Sequence, residues 1–176
     1  MDLAGKLVKL RALRPEDAQA IAANAADPEV VRYLSGWSWG PQSQEDAREF
    51  IARRDPGRVV WAVECLEDGA FLGTTGLHEI NHRNRNCYWG VMLGPPSRWD
   101  RGYGTETCRL VTNWAFRQLG MEKVYLEVYE GNERGRRAYE KAGYRVEGTL
   151  PRHTWIDGRL VTSYLMAAYR DDPPYQ

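Results

Sequence analysis

The sequence predicts a single α/β (α+β) domain over residues 1–176, with strands paired into one sheet and helices packed against it. Three observations carry this. Runs such as Lys123 to Tyr129 alternate, with Val124, Leu126 and Val128 on one face, as a half-buried strand does. Turn signals, Glu67-Asp68-Gly69 and Asp157-Gly158, join such runs as antiparallel hairpins. Residues 105–119 carry apolar side chains at helical spacing (Cys108, Val111, Trp114, Ala115, Leu119) and stop at Gly120. A chain of 176 residues, 43% of them hydrophobic, suffices for one domain with a sizeable core.

The elements follow in order. Lys6 to Leu13 alternates as a strand. Pro15 suits a first helical position, and Ala18, Ile21, Ala22 and Ala25 share a helix face behind it. Asp27-Pro28 starts a short second helix, about Glu29 to Leu34, and 35–41 is a loop with Trp37 and Trp39. Ser43-Gln44-Glu45-Asp46 opens a helix running to about Arg54, with an acid at its third position. Val59 to Leu66, Ala70 to Ile80 and Cys87 to Leu93 read as strands separated by polar turns. After the 105–119 helix and the strand to Tyr129, a helix spans Glu133 to Ala142. Strands near 144–150 and 160–167 close a final hairpin, and 170–176 is a polar, proline-containing tail.

Composition narrows the function. Lys plus Arg number 24 and Asp plus Glu number 24, which argues against nucleic acid or an anionic membrane as the main partner. No apolar run approaches a membrane span, and no leader pattern opens the chain, so a cytoplasmic location is the default expectation. Cys65, Cys87 and Cys108 are odd in number and lie in apolar elements, as buried thiols do. No ligand spacing for a metal is present, so none is expected.

The most informative stretch is Arg98-Trp99-Asp100-Arg101-Gly102-Tyr103-Gly104-Thr105-Glu106. Its glycines let the backbone turn sharply and approach a ligand, and the helix that follows aims free N–H groups and its positive end at the turn. That is a main-chain anion site suited to a phosphate or pyrophosphate. A dinucleotide fingerprint would need a preceding strand and a third glycine; Glu122 has the acid spacing, but both other features are missing. A P-loop would need Gly-Lys-Ser/Thr, which is absent. Downstream lies a strand, an Asn turn, a short helix and a glycine stop: Asn132, Gly135, Tyr139, Lys141, Gly143, Tyr144.

Together the two units resemble the acetyl-coenzyme A site of the GNAT superfamily of N-acetyltransferases. Gly102 and Gly104 match its Q/R-x-x-G-x-G/A loop; Asn132, Tyr139, Lys141, Gly143 and Tyr144 match its second motif. The 10–17 segment and the 73–85 hairpin resemble the same family's first strand and central hairpin, and the ending from Glu147 to Met166 resembles that of its Rim-type branch, the ribosomal-protein N-terminal acetyltransferases and their relatives. The resemblance implies a mixed, mostly antiparallel twisted sheet of about seven strands, splayed at its centre and flanked by helices. It also implies acetyl-coenzyme A as cosubstrate, direct attack by a primary amine on the thioester, and a monomer or homodimer.

The same resemblance implies site roles. Arg101, Gly102, Tyr103, Gly104 and Thr105 would hold the pyrophosphate, with Asn132, Arg136, Tyr139, Lys141 and Leu93 also on the cofactor. Of Arg136 and Arg137, only one can face it. Trp99 stands where the family has Gln or Arg, removing one side-chain donor. A main-chain N–H near Met92 would receive the oxyanion. Tyr139 would donate a proton to the departing thiolate, its competing role being a core aromatic. Many Rim-type members have an acid where this chain has Tyr88, so Glu79, His78 or Glu127 is the candidate base, Glu79 first. His78 and Glu79 are adjacent, so alternation turns only one to the cleft. Trp37, Trp39 and Tyr88 would contact the acceptor, or the tryptophans would instead cap the core. A peptide N-terminus and a small amine both remain open as acceptor. A coenzyme A-binding sensor that kept the cofactor site but lost its base is the alternative function.

Overall fold

The computed structural model describes residues 2–34 and 43–175; Trp37 and Trp39 lie outside them. Eight strands form one sheet: β1 (Leu3–Ala4), β2 (Val8–Arg11), β3 (Val59–Cys65), β4 (Phe71–Asn81), β5 (Asn86–Leu93), β6 (Lys123–Tyr129), β7 (Arg145–Ile156) and β8 (Arg159–Tyr169), in the order β1-β2-β3-β4-β5-β6-β8-β7. The extra strand over the expected seven is the two-residue β1, too short to alternate visibly. All pairs are antiparallel except β5–β6. The helices are α1 (Ala18–Ala26), α2 (Pro28–Val31), α3 (Gln44–Ala52), α4 (Tyr103–Gln118) and α5 (Glu133–Lys141). The β6 span agrees with its alternation residue for residue, β7 runs well past its expected end to Ile156, and β8 ends close to its own at Tyr169.

Two apolar layers enclose the sheet. On one face Cys108, Val111, Ala115 and Phe116 of α4 pack on Val63, Leu77, Trp89 and Val124. On the other, Ile21, Val30 and Ala47 from α1, α2 and α3 cover Met92. Ser43 accepts from the Asp46 N–H (3.1 Å) while Asp46 accepts from the Ser43 N–H (2.7 Å), so the acid at the third position completes a capping box. Buried Arg11 links strand to helix, bonding both carboxylate oxygens of Asp17 (2.9 Å each) and Glu64 (2.6 Å). The C-terminal segment is less detached than its polarity suggests. Tyr175 lies edge-on to Phe116 (5.2 Å) and donates to the Ala142 carbonyl, sealing the seam between α4 and α5.

The sheet opens at its centre. β5 and β6 pair only through Asn86–Lys123, Cys87–Val124 and Tyr88–Tyr125. Beyond Tyr88 the parallel partners diverge, which leaves main-chain groups of both strands facing a wedge.

Candidate active site

The register of β4 against β5 fixes which groups face this wedge. Gly94 N–H bonds to the Leu72 carbonyl (2.8 Å), and the same register continues through Thr74↔Met92 and Gly76↔Gly90. In an antiparallel ladder every second pair exchanges both hydrogen bonds. Gly90, Met92 and Gly94 therefore turn their main chain to β4, and Val91 and Leu93 turn theirs to the wedge. This corrects the expectation for Met92. Its side chain is buried among α1–α3, its N–H belongs to the ladder, and the N–H at that level that faces the wedge is that of Val91. The Leu93 carbonyl is already taken by the Trp99 indole N–H (2.8 Å).

Beside Leu93 the chain turns through Asp100 (φ 61°) and Gly102 (φ 86°) into α4. Both are left-handed; Gly102 meets that need without strain, and α4 begins directly at Tyr103. The N–H groups of the first turn then point out of the helix end. The Tyr103 side chain turns inward, its hydroxyl 3.4 Å from the Cys65 Sγ, so only its main chain serves the loop. Glu106 accepts from the N–H groups of Lys6, Leu7 and Val8 (2.8, 2.7 and 2.8 Å), tying the loop to the first strands.

A cavity of ≈ 240 Å³ lies over this loop, lined by Val91, Leu93, Arg101 to Thr105, Asn132, Tyr139 and Lys141. Five cations line it (Arg98, Arg101, Arg134, Arg137, Lys141) against two carboxylates (Glu29, Asp100). Arg98 is partly committed, since it pairs with Asp68 (2.6 Å) and holds that carboxyl at about 2. Arg136, expected here, is absent: it bonds Glu140 (3.0 Å) and lies over the Tyr164 ring (4.9 Å). Helix phase explains the exchange. Positions 134, 137 and 141 form one i, i+3, i+7 stripe, and 136 lies off it. Asn132 caps α5 by accepting from the Gly135 N–H (3.0 Å) and lines the cavity as well.

A second cavity of ≈ 260 Å³ opens on the α3 side of the sheet. Tyr88, Glu79, His78, Glu127, Tyr129 and Phe50 line it. The alternation argument for His78 and Glu79 fails because the β4–β5 register slips between His78 and Asn81, with Glu79 at φ 51°. That bulge brings both side chains to the same cavity. The exposed Glu79 accepts from the Tyr125 hydroxyl (3.0 Å). Burial, with nearby Arg58 adding to it, pushes the His78 pKa down, so its imidazole is neutral near pH 7. Glu127 is 3.4 Å from the Thr154 hydroxyl. Burial raises the Tyr88 phenol far above its usual range, so it cannot act as a base.

The two cavities meet at Val91, Met92, Asn132 and Tyr139. Tyr139 is held edge-on by Trp89 (5.4 Å), and burial raises its pKa, so its phenol stays protonated at neutral pH. Its hydroxyl bonds to no other described residue. Among the described residues no cluster of His, Cys, Asp and Glu is able to hold a metal ion, and no helix is long and apolar enough to cross a membrane.

Comparison with known proteins agrees with this geometry. Residues 8–145 match the acetyltransferase (GNAT) domain family. The spermidine N(1)-acetyltransferase of Escherichia coli K12 is 29% identical over 168 residues, covering 93% of this chain and 86% of that protein. An uncharacterized N-acetyltransferase of Bacillus subtilis, YoaA, is 26% identical over 157 residues, 85% of each chain. The spermidine N-acetyltransferase of Vibrio cholerae, solved with coenzyme A and spermine, has the same fold: TM-score 0.85 at 22% identity, over 96% of this chain and 98% of that one.

Proposed function

This chain belongs to the GNAT family and is an acetyl-coenzyme A-dependent N-acetyltransferase, and from that premise we propose that transfer occurs where its two cavities meet. The observation that carries the proposal is opposite charge at the two ends. Among the described residues, five cations line the first cavity, while the second has Glu79 and Glu127 with His78 and no Lys or Arg. The first suits a pyrophosphate, the second an ammonium.

The residues fit the cosubstrate in their donor chemistry. The N–H groups of Gly102 to Thr105 would hold its pyrophosphate, with Arg101, Arg134, Arg137 and Lys141 adding charge. Leu93 and Asn132 would line its arm. The acceptor nitrogen, made neutral by proton loss to Glu79, bonds to the thioester carbon. The Val91 N–H receives the oxyanion. As the tetrahedral centre collapses, the C–S bond breaks, the sulfur takes the Tyr139 proton, and the acylated nitrogen gives its remaining excess proton to solvent, which also reprotonates Tyr139 and takes the proton held by Glu79.

The acceptor that this reading favours first is a polyamine, because Glu79 and Glu127 share one cavity and the Escherichia coli and Vibrio cholerae relatives are spermidine N-acetyltransferases. A peptide α-amine, the acceptor in Rim-type enzymes, is the second reading. It is favoured because an α-amine, of pKa about 8, needs less help to lose its proton than an amine near 10. Thiol-release kinetics with acetyl-coenzyme A against polyamines, monoamines and peptides decides between them. Turnover confined to peptides overturns the polyamine reading.

A further inference from the structure

Arg134 is anomalous among the cations of the cofactor cavity. It is half-buried, and burial pushes its pKa down, with the charges of Asp100 and Glu29 opposing. Yet it donates to no other described residue, whereas Arg136, two positions on, has Glu140. What holds it is the Trp99 ring, whose centre is 3.3 Å from the guanidinium carbon. A face-on guanidinium keeps its N–H edge free, because stacking uses the plane and hydrogen bonding uses the rim. Trp99 is itself fixed at both ends, by its N–H on the Leu93 carbonyl (2.8 Å) and by packing on the α1–α3 cluster. The stack therefore joins the second residue of α5 to the loop just before Gly102, and both residues line the cavity.

We propose that Trp99 and Arg134 act as one unit, an indole platform that presents a guanidinium to the cosubstrate's pyrophosphate from the side opposite the glycine loop. Pyrophosphate recognition then comes from two elements, the α4 N–H groups on one side and α5 through Arg134 on the other. Trp99 offers the phosphates no donor of its own, since its single N–H is engaged; its contribution runs through Arg134. Arg134 is a binding residue, and Trp99 is a positioning residue.

The inference rests on the cofactor cavity being the coenzyme site, and the test separates the two. Calorimetry with coenzyme A on the wild type comes first; no binding overturns the reading of the cavity and the clasp with it. Given binding, Arg134→Gln is expected to weaken it roughly ten- to a hundredfold, the loss of charge-assisted hydrogen bonds. Its Tm should fall by only a few degrees, because the Trp99 stack is lost but no hydrogen bond to a described residue is. With acetyl-pantetheine as donor, which has no pyrophosphate, KM should be unchanged. Trp99→Leu should weaken coenzyme A binding, Trp99→Phe should restore most of it by keeping a ring under the guanidinium, and Trp99→Leu with Arg134→Gln should be no weaker than the worse single variant. An unchanged coenzyme A affinity in Arg134→Gln, an equal loss with acetyl-pantetheine, or fully additive effects would overturn the clasp.

Discussion

Replacing Tyr139 by Phe removes one oxygen and one proton from the point where the cavities meet. The structure allows the two consequences to be weighed separately. The ring is held by its edge-on contact with Trp89, which Phe retains. The hydroxyl bonds to no described residue, so its removal orphans no partner, and stability should change by about 0.5 kcal/mol or less. The chemical step is different. A positioned general acid contributes about 10²–10⁴-fold. Both cavities open to solvent, and water can protonate a departing thiolate, so a fall near the low end, about 10² in kcat, is expected. That is about 2.7 kcal/mol of transition-state stabilisation. The assay is thiol release at saturating acetyl-coenzyme A and acceptor, with Tm and cosubstrate affinity measured on the same preparation. Turnover within about twofold of wild type, or a loss that follows a fall in Tm, would refute the role and return Tyr139 to packing.

Three further outcomes are expected. Gly104→Ala should fold and bind, since its Cβ meets only Leu93 Cδ1 at 3.6 Å, whereas Gly104→Asp should abolish cosubstrate binding by calorimetry; Gly102→Asp should do so too, with added strain because φ is +86°. Burial raises the Asp17 carboxyl pKa, but the Arg11 fork and the Arg14 N–H outweigh it and hold it below its ordinary value. Asp17→Asn should therefore lower stability by about 3 kcal/mol near pH 7, or roughly 6–12 °C in Tm, and the gap from wild type should shrink as pH falls below about 3.9 through the depressed folded value. Trp37→Ala and Trp39→Ala should raise the acceptor KM and leave that for acetyl-coenzyme A nearly constant; a fall in Tm with no acceptor effect would make both rings core caps.

What the sequence disclosed and what it hid divide along physical lines. The glycine turn, the Asn132 cap and the alternation of β6 were legible because each is a local preference written in adjacent residues. That Val91 rather than Met92 turns its N–H to the wedge is not legible in the sequence, because ladder phase depends on which pair of facing residues exchanges hydrogen bonds, and neighbouring side chains do not encode that. His78 and Glu79 were separated by an alternation that a left-handed Glu79 breaks; glutamate gives no composition signal for such a bulge. Arg136 was recoverable in principle, since the 134, 137, 141 stripe was readable beforehand, but which face meets the cavity is a tertiary fact. The ties of Glu106 to Lys6, Leu7 and Val8, and of Tyr175 to Phe116, join residues distant in sequence and left no local trace.

The central claim is that an acetyl group passes between two substrates at the junction of a cationic and an acidic cavity. Its most direct measurement is stoichiometric: free thiol by absorbance and N-acetylated acceptor by mass spectrometry, followed together from one reaction of the wild-type protein with acetyl-coenzyme A and each amine. Equal amounts of thiol and acetylated amine, both dependent on the acceptor and both suppressed in Gly104→Asp, are the predicted result. Thiol released without a matching acetylated amine, or turnover that survives Gly104→Asp unchanged, would contradict it.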